Sequence, residues 1–494
     1  MKFSYEIRDI LNIGIEITTE KNKRHLLEKM LNKAMEISGC DAGTLYVLHD
    51  GMLHFSIMKT ISMGVDKGKD GEEIDLPPVA LKPENVCAYA ALKKELVNIP
   101  DVYHSSGFDF SGPVRYDKMT GYHTKSMLVI PMEDAEGHVI GVVQLINKLD
   151  SDGNVIAFTD EDAFILRSLG SMAAVSMTNM IYLDEIKQQM QSFVQAFATA
   201  IDKRTPYNGS HTRMVTEYAV MVAEQLNLLY QSGQGGEPFD TTRMEQLRLA
   251  AGLHDIGKMV VPLSVMNKST RLEGGYKEIE HRFAYLRLLF ERDLLKGRLS
   301  SADYEAKIAE LDANLSIIAQ VNTAGFLSDE LLNQINTIAK HSYHQDDGTV
   351  IAYLTEHELS CLRIRKGTLT AEERSIMEGH SVMTEEILAQ VYFSDTYKNV
   401  PRYASQHHEF LDGSGYPNGL RGDELSMETR ILTVVDIFDA LTCSDRPYKK
   451  PMSNERAFAI LNQMADEGKL DRTVINALEE AILQPQRHCK TEAI

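Results

Sequence analysis

The sequence predicts a multidomain protein in which an N-terminal α+β domain is joined by one long helix to an all-α half that carries an inserted helical hairpin. Three observations point there. Strand-like runs punctuated by glycines and acidic turns mark the first part of the chain, the stretch 159–205 holds no proline and a single glycine (Gly170), and helical patterning without strand alternation continues from Pro206 onward. At 494 residues the chain is also too long for one ordinary core.

In chain order, an amphipathic helix is expected over 24–37 and strands over 44–47, 126–132 and 139–146, the pattern of an antiparallel sheet. Apolar residues then recur at helical spacing: Ile165, Leu169, Met172, Val175, Leu183, Ile186, Met190, Phe193 and Phe197. One helix can therefore run from domain to domain, pairing in a parallel homodimer or serving as a rigid spacer. Further on, residues 275–295 and 301–321 form the two arms of a hairpin, with Tyr304, Ile308, Leu311, Leu315 and Ile318 stepping by four and three residues and Ser300 as N-cap. The resulting division is 1–175, a linker helix 176–202, and 203–494 with an insertion at about 266–362.

Composition narrows the function classes. Apolar residues at 43% and charged residues at 25% describe a globular protein. No window approaches the roughly 18 apolar residues of a membrane span, and Met1 is not followed by a basic and then an apolar region, so a cytoplasmic protein without membrane contact is expected. Five scattered cysteines (Cys40, Cys87, Cys361, Cys443, Cys489) fit neither a disulfide framework nor a zinc ribbon. The formal charge of -20 disfavours duplex nucleic acid, and any phosphate ligand needs a local cationic site.

Chemistry concentrates in the second half, where ten of the sixteen histidines lie beyond residue 205. Five sit in compact polar signatures: Asn208-Gly-Ser-His211, His254-Asp255-Ile-Gly-Lys258, Gly379-His380 and His407-His408-Glu409, followed by the acidic Val435-Asp436-Ile-Phe-Asp439. Imidazole nitrogens with carboxylate oxygens suit borderline divalent metals, and a shared carboxylate can bridge two of them. His281, His341, His344, His357 and His488 lie outside such signatures and are assigned no role.

Through Asp41-Ala-Gly-Thr-Leu-Tyr-Val47, residues 121–132 and Gly141-Val-Val-Gln-Leu-Ile-Asn-Lys148, residues 1–175 resemble a GAF domain, a sensory module. Asn147, Lys148, Phe158, Asp160 and Glu161 are similar to a motif of cyclic-nucleotide-binding members, with a shorter Phe-to-acid spacing; read by themselves they close a strand and start a helix. A small-molecule ligand of this domain stays open.

His254-Asp255 with the later Asp436 resembles the HD phosphohydrolase superfamily, and His407-His-Glu-Phe-Leu-Asp-Gly-Ser-Gly-Tyr-Pro417 resembles the signature of its HD-GYP subfamily. The resemblance implies hydrolysis of the cyclic dinucleotide cyclic di-GMP to pGpG, often onward to GMP, with iron or manganese as cofactor. It implies one metal held by His211, His254, Asp255 and Asp436, and a second, bridged by Asp255, held by His380, His407 and His408. Lys258 would stabilise the attacked phosphate or the leaving oxygen, and Arg446 and Lys449 would grip phosphate. Gly413, Gly415, Tyr416 and Pro417 form either a substrate-shaping loop or a structural turn.

Family members with a third metal carry a glutamate four residues before the first histidine, where this chain has Tyr207. A phenol with a pKa of about 10 is a poor substitute for a carboxylate, so two ions are expected. A phosphodiesterase for another cyclic dinucleotide, such as cyclic GMP-AMP, and a non-catalytic dinucleotide receptor are the alternatives.

Overall fold

The computed structural model describes residues 7–69, 72, 74–204, 210–443 and 451–483. The chain divides into two compact units, Met1–Gln189 and Met190–Ile494. The first is the α+β unit. Its strands are β1 (Cys40–His49), β2 (Met52–Thr60), β3 (Val65–Lys67), β4 (Val79–Ala80), β5 (Val97–Ile99), β6 (Met127–Glu133), β7 (Val139–Leu149) and β8 (Val155–Ile156). They pair antiparallel in the order β3-β2-β1-β7-β6-β5, with β4 on β2 and β8 on β7.

Strand periodicity sends alternate residues to opposite faces. Leu45, Leu128, Ile130, Val143 and Leu145 meet α1 (Ile7–Thr18), α2 (Lys23–Ser38) and the start of α5 (Asp160–Arg204) on one face. Tyr46, Met127, Val129 and Val142 meet α3 (Val86–Lys93) on the other, while α4 (Ser111–Thr120) borders a cavity there. Helix α2 begins where Asn22 caps the amides of Arg24 and His25, and ends at Gly39, whose φ of 64° suits glycine. Helix α5 is a single 45-residue element. Its start is fixed by reciprocal bonds, Thr159 N–H to Asp162 and Asp162 N–H to the Thr159 hydroxyl, with Lys148 paired to Asp162.

The second unit packs α6 (His211–Gln231), α7 (Thr241–Leu253), α15 (Val400–Ser405), α16 (Met427–Thr442), α17 (Asn454–Asp466) and α18 (Arg472–Leu483) around one apolar cluster. Between α7 and α15 lie α8 (Leu263–Met266), α9 (Gly275–Leu295), α10 (Ser301–Thr323), α11 (Asp329–Ile338), β9 (Ser342–His344), β10 (Val350–Ala352), α12 (Glu356–Leu362), α13 (Ala371–Glu378) and α14 (His380–Leu388). Helices α9 and α10 are the two arms of the expected hairpin, and the Ser300 hydroxyl caps the Asp303 amide.

Two features add to the mainly helical half that the sequence predicts. It is not purely helical, because β9 and β10 pair antiparallel around a turn closed by Gly348 at φ 88°. Strands of three residues are too short to display alternation. Nor is the insertion a hairpin alone: α9 to α12 share a core of their own, including Phe283, Leu286, Leu311, Ile318, Ile335 and Leu362. Fully buried Arg271 ties its base together, donating to the carbonyls of Val321 (2.6 Å), Ile364 (3.0 Å) and Ala324. Among the described residues, no helix is long and apolar enough to cross a membrane.

Because the clusters are separate, the insertion's burial does not contribute to the core of α6, α7 and α16. Replacing residues 272–360 with a short linker is expected to leave a cooperative thermal transition followed by circular dichroism. A non-cooperative melt would show that the insertion completes the helical core.

Candidate metal centre

Five histidines and two aspartates meet where the ends of several helices converge. His211 is the first residue of α6, His254 follows α7, His380 opens α14, His407 and His408 follow α15, and Asp436 lies on α16. Asp255 sits in their midst at 2% exposure, with its two oxygens turned to different partners. Oδ2 lies 3.5 Å from His211 Nε2 and 3.3 Å from His254 Nε2, while Oδ1 lies 3.6 Å from His380 Nε2 and 3.8 Å from His407 Nε2. Asp436 Oδ1 is 3.3 Å from His211 Nε2, and Asp436 Oδ2 is 3.8 Å from His408 Nδ1.

Local structure sets these directions. His254 and Asp255 leave α7 and enter a 3-10 turn, Ile256–Val260, which packs on α14. Side chains three apart eclipse in a 3-10 helix, so Lys258 returns over Asp255, with Nζ 2.5 Å from Oδ2. The tighter 3-10 helix produces this superposition at a spacing of three residues. Gly257 permits the docking, since a Cβ there would lie 1.9 Å from the His380 carbonyl oxygen. The Thr384 hydroxyl locks the contact, accepting from the Gly257 amide and donating to the His254 carbonyl, each at 3.0 Å.

The protonation pattern suits a cation. His254, His380 and His407 donate Nδ1–H to the carbonyls of Ala251 (2.7 Å), Met377 (2.6 Å) and Ala404 (2.7 Å), which leaves each Nε2 lone pair facing inward. Burial first, then neighbouring imidazoles, holds His407 well below its ordinary value, and burial likewise lowers His380. Burial brings His408 down to about 4 against the pull of Asp436. Burial would also protonate the two carboxylates, but His254 and Lys258 beside Asp255, and His211 beside Asp436, keep both ionised.

His211 behaves differently. Burial opposes its charge, yet Asp255, Asp436 and Asp439 raise it well above the usual imidazole value. One nitrogen facing two carboxylates calls for a positive charge between them. The fit to metal rests on two further observations: His254 Nε2 and Asp255 Oδ1 are buried without a hydrogen-bond partner. Ligand atoms of His211, His254 and Asp436, of His254, Asp255 and His407, and of His380, His407 and His408 lie within 4.8 Å of one another in each group.

Beside the cluster runs the loop 409–421. Buried Glu409 accepts the amides of Asn418 (2.6 Å), Gly419 (3.1 Å) and Leu420 (3.0 Å). Gly415 presses on the backbone of residues 408–410, where a Cβ would approach the Phe410 nitrogen to 2.4 Å. Pro417 follows Tyr416, whose ring lies 4.8 Å from that of His408, so the tyrosine borders the cluster. Arg446, Lys449 and Tyr207 lie outside the described residues. Gly257, Thr384, Glu409 and Asp439 are site residues to which no sequence argument gave a role. Only Asp439 carried a signal, its i+3 spacing from Asp436 on one helix.

In the first unit, a cavity of about 270 Å³ is lined by Tyr46, Phe55, Met58, Tyr116, Tyr122 and Gln144 among others. Asn147 and Lys148 serve the framework. Asn147 bonds the Lys125 amide (2.7 Å) and the His123 carbonyl (2.8 Å), and Lys148 pairs with Asp162 rather than Asp160 or Glu161.

Comparison with known proteins agrees with both units. Residues 23–177 match the GAF domain family, and residues 208–320 and 357–474 match HD domain families. The chain is 40% identical over 118 residues to 3′3′-cGAMP-specific phosphodiesterase 3 of Vibrio cholerae, covering 24% of this chain and 25% of that protein. It is 38% identical over 105 residues to a probable cyclic di-GMP phosphodiesterase of the same organism, covering 20% and 24%. With the cyclic di-GMP phosphodiesterase response regulator RpfG of Xanthomonas campestris it shares 37% identity over 129 residues, covering 26% and 32%. The chain thus spans about a quarter to a third of the length of these relatives.

Proposed function

We propose that this chain, which carries a GAF domain followed by an HD domain, is a metal-dependent phosphodiesterase that hydrolyses cyclic di-GMP to pGpG and onward to GMP. The observation that carries the reading is the buried Asp255, whose two oxygens face separate histidine pairs. His211, His254, Asp255 and Asp436 would hold one divalent ion, iron or manganese, and His380, His407 and His408 a second on the other side of Asp255. When bound, such ions activate water and offset charge on a phosphoryl group.

The remaining work falls to the chain itself. Lys258, at 20% side-chain exposure, brings a positive charge to the mouth of the cluster, where a non-bridging phosphate oxygen or the leaving oxygen would meet it. Tyr416 offers a flat wall beside His408 on which a base can lie. The loop bearing it is held by Glu409, so the wall stands before substrate arrives. Arg446 and Lys449 would add the phosphate grip that a chain of charge -20 must supply locally. The GAF cavity would take a small-molecule regulator. A second substrate reading, cyclic GMP-AMP, is favoured by the relative named for 3′3′-cGAMP.

The test is a panel of cyclic dinucleotides with anaerobically prepared, metal-loaded protein, products being separated by chromatography. Multiple turnovers to pGpG support the proposal, and binding with less than one turnover identifies a receptor instead. Elemental analysis of the same preparation is expected to give two metals per chain. Asp255→Ala is expected to lower turnover by at least about a thousandfold while circular dichroism stays unchanged, because the shared carboxylate is lost. Near wild-type turnover at equal metal content would remove the two-metal assignment.

Helix α5 supports a homodimer. Leu183 and Ile186 (60% exposed each) and Phe193 (65%) lie on a stripe that continues through Met190 and Phe197, stepping by three, four, three and four residues. That is the spacing of a coiled-coil seam. Sedimentation equilibrium should find a dimer, and Leu183→Glu with Phe193→Glu should give a monomer; an unchanged mass would exclude this face.

A further inference from the structure

The histidines of the cluster are not held alike. His254, His380 and His407 each rest Nδ1–H on a backbone carbonyl three residues earlier. His211 is the first residue of α6, so no turn of its own helix precedes it. Its Nδ1 lies 2.6 Å from Oδ2 of Asp439 instead. Asp439 stands one helical turn beyond Asp436 on α16, which puts both carboxylates on one face toward His211, and it is 3% exposed.

A carbonyl and a carboxylate both accept Nδ1–H, and both leave Nε2 free to bind. They differ in charge. A carboxylate acceptor makes the imidazole a stronger electron donor, and outer partners of this kind typically change metal affinity by about 10-fold to 100-fold. Asp439 also adds a third negative charge to a buried group that already holds Asp255 and Asp436, where cations would otherwise be under-compensated. On the other side of Asp255, His380 and His407 rest on neutral carbonyls, and among the described residues no carboxylate other than Asp255 pairs with them.

We propose that Asp439 is a positioning residue that orients His211 and strengthens its hold on a divalent cation shared with His254 and Asp436, so that this position fills before the one at His380, His407 and His408. The inference deepens the two-metal reading above and rests on it. A buried carboxylate with only a structural duty would stabilise the fold with or without metal; a positioning residue changes one binding event.

The experiment is a manganese titration of the full-length apoprotein, followed by calorimetry and by the paramagnetic resonance of free ion. Wild type is expected to show two binding events of different affinity. Asp439→Asn, which keeps the shape and an acceptor but removes the charge, is expected to weaken the tighter event by about 10-fold to 100-fold and leave the weaker one unchanged. His408→Ala should do the reverse. The urea midpoint of the Asn apoprotein should match wild type; should the Asn variant fold poorly, Asp439→Ser supplies the same comparison. Equal weakening of both events, or unchanged binding in a neutral variant, overturns the proposal. A wild-type protein that binds no manganese and no iron would overturn the metal reading itself, and the role of Asp439 with it.

Discussion

The ligand-bearing helices of the second unit are arranged around one buried carboxylate. An ionised side chain at 2% exposure is costly to hold unless positive or polar groups surround it, and Asp255 is surrounded on both oxygens. No single helix can supply such a ring. The chain meets the requirement by bringing the histidine-bearing helix ends to one point, where an end can present a side chain and a turn together, and by adding Asp436 from the face of α16. The apolar cluster of α6, α7, α15 and α16 fixes where those ends stop, so core packing is what sets the distances between donors.

How much of this could be read in advance follows from range. The ligand-type residues were legible because the chemistry announces itself locally, in His254-Asp255 and in the run from His407 to Pro417. The α5 helix and the α9–α10 hairpin were legible because long periodic segments carry their own signal. Residues that act across the fold were silent. Gly257 matters because of the His380 carbonyl, Thr384 because of His254, and Glu409 because of amides up to eleven residues away. Gly257 and Glu409 lie inside recognisable runs, yet nothing in those runs says what either does, and Thr384 has no such run at all.

The elements of the insertion beyond its hairpin were not legible for a related reason. Its hairpin arms are long and periodic, whereas α11, α12 and the β9–β10 pair are short elements that acquire identity only by packing on the arms. Arg271 illustrates the point. In sequence it is one more basic residue, yet in the fold it is fully buried, closing the carbonyl end of α10 on the segment that returns to α13. Because that closure is internal to the insertion and its base, the ligand-bearing helices on either side keep their own core.

The loop after His408 shows how rigidity and variation can coexist beside such a centre. Glu409 gathers three successive amides with a single carboxylate, a cradle that works on backbone atoms and is indifferent to the side chains above it. Gly415 seals the lower side by allowing backbone to touch backbone. Tyr416 is consequently placed against His408 by main-chain geometry, not by packing of its neighbours. Exposed positions such as Ser414 and Asn418 are then free to differ without moving a ligand. Reaction chemistry and substrate choice are thereby carried by separate parts of one short segment: buried groups hold the charge, and the rim meets whatever the phosphate is attached to.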